Sequence, residues 1–329
     1  MLNRHLKNRL SVAFAVGTLV VATSSRVLAD DAAAAAPAAP AVNTGNISLT
    51  FENDFTNAYF FRGILQERDG GIWEPSLGIA WKLYNSADGA LRTVSLGLGN
   101  WDSVHSKHTL ACGVGSGTGT RSCSGPRAWY EADIYPSMTA TWAYGITTGF
   151  TYYFYTSPNS GFTTTEEADV NLGFDDSPYL GAFALHPTAT FAFETHGSSF
   201  GDFFGVNGRG HGKGDLFMLS LAPSHAFTIP GADAYPVTVT VPATLALSMH
   251  NYYETFNHNE TFGYASLGVN FGIPLAFLPA TYGAWNLVNG VNVLFLDKAL
   301  QDVNHDGPDS SPHGDSVYPV WMTSVVMAY

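Results

Sequence analysis

From Asn46 to the C-terminus, segment after segment places apolar residues at alternate positions, and nowhere in that span do eighteen of them run together. Period two is the signature of strands. Without a longer run, no segment of it can cross a bilayer as a helix. In 46–66 the apolar residues are the odd ones, Ile47, Leu49, Phe51, Phe55, Tyr59, Phe61 and Leu65, and they face away from Ser48, Thr50, Glu52, Asp54, Thr56 and Arg62. The unbroken register predicts one long strand over 46–66. The pattern repeats around Leu77–Ile79, Leu96–Leu98, Ile134–Met138, Phe150–Tyr152, Val170–Leu172, Ala189–Phe191, Leu219, Val239, Val269, Val293 and Val325. About twelve antiparallel strands are expected, an even number, as closed bacterial outer-membrane barrels require.

A secreted β-sandwich would alternate too, so composition has to separate the two. Charged residues make up 12% of the 329 residues, about half the roughly 25% of an ordinary soluble domain. Something other than water is expected to cover part of the surface. Trp81, Tyr84, Trp129, Trp142, Tyr144, Trp285 and Trp321 fall near strand ends, where a membrane barrel carries its aromatic girdles. The predicted fold is therefore all-β, a transmembrane antiparallel up-and-down β-barrel. A net charge of −13 without any Lys/Arg cluster excludes nucleic acid as a partner class.

The first 29 residues carry Arg4, Lys7 and Arg9, then the apolar run Leu10–Ala22, then Val27-Leu28-Ala29. That is the order of a secretory signal peptide, too short in its apolar part to span a membrane. Residues 30–45 form an Ala/Pro-rich leader that builds no core, and 46–329 make the barrel. With both termini on the periplasmic side, the outward loops are 102–127, 195–213 and 297–315, long and rich in Gly, Asp and Ser. The opposite turns, NSADGA, AYG, DDSPY and TIPGADAYP, are short. Pro75, Pro136, Pro187, Pro223, Pro242 and Pro319 fall in or beside strands, where each removes a ladder donor, so bulges or strand ends are expected there.

Parity places Arg62 in the lumen, since facing lipid at the midplane would cost it about 2–4 kcal/mol. The expected pore-lining set is Glu52, Asp54, Arg62, Lys82, Glu131, Asp133, Glu167 and Asp169, an acidic surplus that favours cations. An internal salt-bridge network that only shapes the barrel fits the same residues.

The segments FFRGILQERDGGIWEPSLGIAWKLYN, WYEADIYPSMTATWAYGITTGFTYYFYTSPN and EEADVNLGF resemble the TorF-like porin family of outer-membrane barrels. The matching positions are Phe61, Arg62, Gly63 and Gln66, then Glu131, Asp133 and Tyr135, then Tyr152, Tyr153 and Tyr155. The likeness covers about the first half of the mature chain. It implies the fold and the outer membrane rather than a substrate, and the chain departs from the family in its cysteine-containing loop and extended C-terminal half.

Three outward-loop features carry chemistry of their own. Cys112 and Cys123 flank GVGSGTGTRS; in an oxidising compartment they are expected to form a disulfide, worth about 3 kcal/mol for so short a loop. A zinc set with His105 and His108 is the competing reading. Asp302, Asn304 and Asp306, followed by Gly307, match the front half of a calcium loop, but His313 stands at the closing position where a bidentate carboxylate belongs. Calcium is the only cofactor this pattern suggests, against a solvated acidic loop. His196 and Ser198, with Glu194 nearby, have the H-x-S spacing of outer-membrane lipid hydrolases but lack a surrounding motif.

The expected function is a porin-like channel for passive, cation-leaning diffusion of small solutes, without enzymatic activity. A structural or adhesive barrel with a plugged lumen is the alternative, and a lipid or ester hydrolase is a third. Partners are outer-membrane lipid and small solutes or ions; nothing in the pattern specifies an oligomeric state.

Overall fold

The computed structural model describes residues 45–68, 70–107, 128–197, 213–228, 236–254, 258–304 and 314–329. Strand β1 (Ile47–Thr56) is followed by two short strands, β2 (Tyr59–Phe61) and β3 (Ile64–Glu67). Then come β4 (Ile72–Asn85), β5 (Leu91–His105), β6 (Trp129–Trp142), β7 (Ile146–Thr156), β8 (Thr165–Phe174) and β9 (Thr188–His196). The second half holds β10 (Asp215–Leu221), β11 (Ser224–Thr228), β12 (Pro236–Thr240), β13 (Ala243–His250), β14 (Tyr253–Glu254), β15 (Asn259–Glu260), β16 (Phe262–Pro274), β17 (Ala284–Leu296) and β18 (Val317–Ala328). Two short helices, α1 (Ser177–Leu180) and α2 (Lys298–Val303), lie in connections.

Neighbouring strands pair antiparallel around the sheet, and β18 pairs back onto β1, so the barrel is closed. Its wall has twelve strands, because β10 with β11 and β12 with β13 are each one strand interrupted at Pro223 and Pro242. The other prolines also sit where no donor is needed. Pro75 and Pro136 face breaks in the β4/β5 and β6/β7 ladders. Pro187 precedes β9, and Pro319 lies beyond the end of β1. A closed barrel has no edge, so the ladder opens locally at each proline instead.

Period two sorts the wall as lipid requires. Leu77, Ile79, Leu98, Ile134, Phe150 and Leu267 point out and are exposed. Trp73, Trp129 and Trp321 ring one end of this band, and Trp81, Trp142 and Tyr329 the other. Trp73 and Trp81 are eight residues apart on β4, about 26 Å of strand at ~3.3 Å per residue, on the order of the apolar band of membrane barrels. The indole N–H groups of Trp73, Trp129 and Trp142 donate to Asn53, Asp102 and Thr148 at 3.0, 2.8 and 2.9 Å. An apolar ring with a polar edge suits an interface.

The start of β1 and the end of β18 meet at one end of the barrel, where Leu49 and Tyr329 exchange backbone bonds of 2.8 Å. Links at this end are short, except that 175–187, expected as a tight DDSPY turn, is longer and includes α1. The far end carries the longer connections 106–128, 197–214, 251–261 and 297–316.

The expected single strand over 46–66 is corrected. The wall strand stops at Thr56, and the chain folds inward. Thr56 Oγ1 donates to the carbonyls of Ala58 and Trp321, and Trp321 N–H donates to Asn57 Oδ1 at 2.6 Å. From there β2 and β3 pair only with each other. Their turn is Arg62-Gly63 with φ of +50° and +84°, positive at both central positions as in the two-residue turns that match strand twist. Arginine in this region costs about 1 kcal/mol or more. The adjacent apolar pairs Phe60-Phe61 and Ile64-Leu65 are buried on both sides of this hairpin. Phe60, Ile64 and Leu65 pack against Leu216, Tyr264 and Leu294 on one side, and Tyr59 and Phe61 against Trp101, Tyr130 and Tyr155 on the other.

Candidate functional site

The inner hairpin enters from the far end and fills the lumen there. Every residue from Ala58 to Glu67 is buried, and Arg62, Ile64 and Glu67 have no exposure at all. A water-filled pore beside the hairpin would leave its side chains accessible. At this level the barrel is closed.

Arg62 lies at the tip. Its guanidinium meets Glu167 in a bidentate pair, each N···O distance 2.5 Å. Such a fork-to-carboxylate match fixes direction as well as charge. Asp169 Oδ2 is 3.6 Å from the second terminal nitrogen. The first terminal nitrogen also donates to Tyr252 Oη at 3.1 Å, and Tyr155 Oη donates to Glu167 at 3.2 Å. The Phe61 and Tyr252 rings lie 5.1 and 5.5 Å from the guanidinium carbon, within cation–π range. Glu167 and Asp169 reach the lumen because they are alternate inward residues of β8.

The rest of the hairpin is tied to other walls. Tyr59 Oη donates to Glu131 at 2.8 Å, and Tyr130 Oη donates to Gln66, the bulged residue of β3, at 2.5 Å. His105 stacks on Tyr130 with centroids 4.9 Å apart, and its Nδ1 is 3.9 Å from Glu67. Tyr253 Oη donates to the Arg62 carbonyl at 3.2 Å. Asn304 clamps the far side of the turn: its amide donates to Gly63 O at 2.8 Å and accepts from Leu65 N–H at 2.9 Å. Leu300 of α2 stands directly over Gly63, where an added Cβ would come within 2.7 Å of its Cδ1. Helix α2 thus forms a lid on the hairpin turn.

Asp297 caps this lid, its carboxylate accepting from Leu300 N–H at 2.8 Å while its other oxygen is buried with no hydrogen-bond partner among the described residues. Burial raises its carboxyl to about 6, against the pull of the Leu300 and Ala299 N–H groups; Glu260 adds to the rise and His258 opposes it. An unfolded aspartate titrates near 3.9. Between about pH 4 and 6 the folded lid therefore holds a proton that the unfolded chain has released, and this contribution to stability is complete below about pH 4 and lost as pH rises through about 6. Asp297→Asn keeps a capping oxygen and removes the titration. Hydrogen exchange at 298–303, corrected for intrinsic rates, is expected to quicken from pH 5 to 7.5 in the wild type and not in the variant. Equal pH dependence in both would remove this carboxyl from the account.

The expected pore-lining set divides in two. Arg62, Glu131, Asp133, Glu167 and Asp169 gather around the hairpin, and Asp54 is buried beside Ser324. Glu52 shares the Ser324 hydroxyl with Asp54, accepting from it at 3.1 Å, and Lys82 lies elsewhere, half-buried toward the end where β1 begins. There the inner wall carries small polar groups such as Ser48, Thr50, Ser76, Ser95, Ser137 and Thr147. Of the acidic-loop residues, Asn304 is engaged with the hairpin backbone, Asp302 lies 3.3 Å from His258 Nε2, and Asp306 is outside the described residues. No metal-ligating group of three or more His, Cys, Asp or Glu exists among the described residues. Cys112, Cys123, His108 and Ser198 also lie outside them; His196 is exposed at the end of β9, and Glu194 accepts from Gly214 N–H at 2.6 Å. Sequence reasoning missed Tyr252, Tyr253 and Glu67, all buried in the lumen, and left Gln66 and Glu74 out of the expected pore-lining set. The signal that could have found the hairpin is Arg62-Gly63 between two short apolar runs.

No family model matches the chain, and no curated protein matches it. Among solved structures it is similar to the β domain of the Bordetella autotransporter Brka, with 11% identity, a TM-score of 0.39, and coverage of 87% of this chain and 99% of that one. It is also similar to an outer-membrane channel from Pseudomonas putida F1, with 9% identity, a TM-score of 0.43, and coverage of 89% and 100%. For the NanC porin the values are 9%, 0.38, 85% and 98%. At these values the likeness is one of barrel architecture, and what the lumen does is read from this chain's own residues.

Proposed function

We propose that this chain is an outer-membrane porin-like channel that is shut at rest by its inner hairpin and conducts small solutes when the hairpin leaves. The observation that carries this reading is the burial of Ala58–Glu67 around the Arg62–Glu167 pair. The FRG-x-x-Q segment, through which the chain resembles the TorF-like porins, is then the gate. Two features support a gate over a permanent plug. The hairpin shares no ladder with the wall, so it can move without breaking the barrel. Below it the inner wall is polar and half-exposed over several strands, as a vestibule would be.

The open state is cation-leaning. With the hairpin gone, the wall at that level would present Asp54, Glu74, Glu131, Asp133, Glu167 and Asp169, a carboxylate ring of the kind that selects cations. The test replaces 58–67 with a Gly/Ser linker and records currents in a planar bilayer under a KCl gradient. Silent wild-type barrels, steady steps from the variant and a reversal potential on the potassium side are expected. Equal steady conductance from both proteins would remove the gate, and a reversal potential on the chloride side would remove the cation preference.

A further inference from the structure

The seat that holds Arg62 is built for a guanidinium group independently of the chain that supplies it. Glu167 and Asp169 come from β8, Tyr155 from β7, and Tyr252 from the connection after β13, whereas Arg62 arrives on a hairpin that shares no ladder with the wall. Both Glu167 oxygens take one terminal nitrogen each at 2.5 Å, Asp169 adds charge at 3.6 Å, and the Tyr252 ring covers the cation at 5.5 Å. A planar fork satisfies this set, while an ammonium, a point charge, would meet one oxygen at a time. Thr151 gives a second indication. It faces the lumen directly opposite Asp169 in the β7/β8 ladder, has no exposure, and its hydroxyl has no hydrogen-bond partner among the described residues. It is a spare polar group in the wall of the seat.

We infer that the Glu167–Asp169–Tyr252 seat is a binding site for small guanidinium-bearing solutes, and that Arg62 is a built-in competitor occupying it at rest. The inference rests on the gated-channel reading in one respect, that the hairpin can leave. A guanidinium solute reaching the seat takes the carboxylates from Arg62, and the hairpin loses its strongest tie. The class of solute that opens the channel is then set by the chemistry of the group that closes it.

The test uses Arg62→Gly, because glycine suits the positive φ at this position and empties the seat without straining the turn. The refolded variant is titrated with methylguanidinium chloride, against methylammonium chloride and sodium chloride at equal concentrations, and its thermal unfolding is followed. A saturable upward shift of the midpoint with methylguanidinium alone is expected. That shift should be lost when Glu167→Gln is added, and wild type at the same concentrations should show a smaller one because Arg62 competes. No shift, or the same shift with methylammonium, would overturn the site. If Arg62→Gly does not refold unaided, its refolding yield with and without methylguanidinium becomes the reading: rescue supports the site and equal failure overturns it. Bilayer recording of the same variant separates the two claims. A variant that binds methylguanidinium yet never conducts keeps the site and removes the gate; one that conducts and shows no shift overturns the site and keeps the gate.

Discussion

Arg62→Ala is expected to destabilise the folded barrel by about 3–5 kcal/mol, the usual cost of removing one partner from a buried ion pair. Arg62 has no exposure, and neither has Glu167 or Asp169. Without the guanidinium, two carboxylates remain in a dry interior, where Glu167 keeps the Tyr155 hydroxyl and Asp169 stands opposite Thr151. They can recover water only if the hairpin tip moves away. The barrel wall keeps its ladders, so the loss is expected to appear as an early, separate transition of the lumen in urea, while heat-modifiable migration of the barrel on gels persists. Bilayer currents of this variant are expected to flicker between closed and open levels. A variant as stable as wild type would mean that the pair does not anchor the hairpin.

Asn304→Ala is the second large effect expected. One amide makes two buried bonds to the turn, to Gly63 O and from Leu65 N–H. Each backbone group left buried and unpaired costs about 1–3 kcal/mol, so for the two groups about 2–6 kcal/mol of local stability should go. The backbone bond from Asn304 N–H to Leu300 O at 3.0 Å, which closes the last turn of α2, is kept by alanine, so the loss is confined to the hairpin turn. Amide exchange at 58–67 should speed up by at least ten-fold while β4 to β8 stay protected. Uniform acceleration across the barrel would place Asn304 in global stability instead, and no change would remove the clamp. Added calcium is expected to leave the wild-type exchange unchanged, since the Asn304 amide is already engaged.

The barrel was legible in the sequence because lipid and lumen impose opposite polarity on alternate residues of every wall strand. Leu77 and Ile79 against Ser76, and Val170 and Leu172 against Asp169 and Asn171, can be read in only one register. The hairpin was not legible because its surroundings are the same on both faces. Phe60 and Phe61 are each buried against a different side of the lumen, so parity carries no information beyond Thr56. The odd-residue pattern nevertheless runs on through Tyr59, Phe61 and Leu65, which is why the strand was extended too far. Arg62 is buried inside the barrel, but not by the parity of a wall strand. The cause is a turn that sets the residue at the tip of an inserted element.

The seat itself was half legible. Glu167 and Asp169 follow from the inward parity of β8. Tyr252, some 190 positions from Arg62, and Asn304, 241 positions from Gly63, come from connections with no period to follow. Asn304 is an example: DVNHDG has the spacing of a cation loop, and the fold turns the Asn304 amide inward onto the hairpin backbone.

The central claim is that residues 58–67 sit inside the barrel at rest. Hydrogen–deuterium exchange of the refolded wild-type protein in lipid nanodiscs, read on peptides spanning 58–67, tests it most directly. Protection comparable to that of β4 and β8 is the result the account predicts. Exchange at the rate of an unstructured peptide, with the wall strands still protected, would put the hairpin outside the lumen and contradict both the gate and the seat.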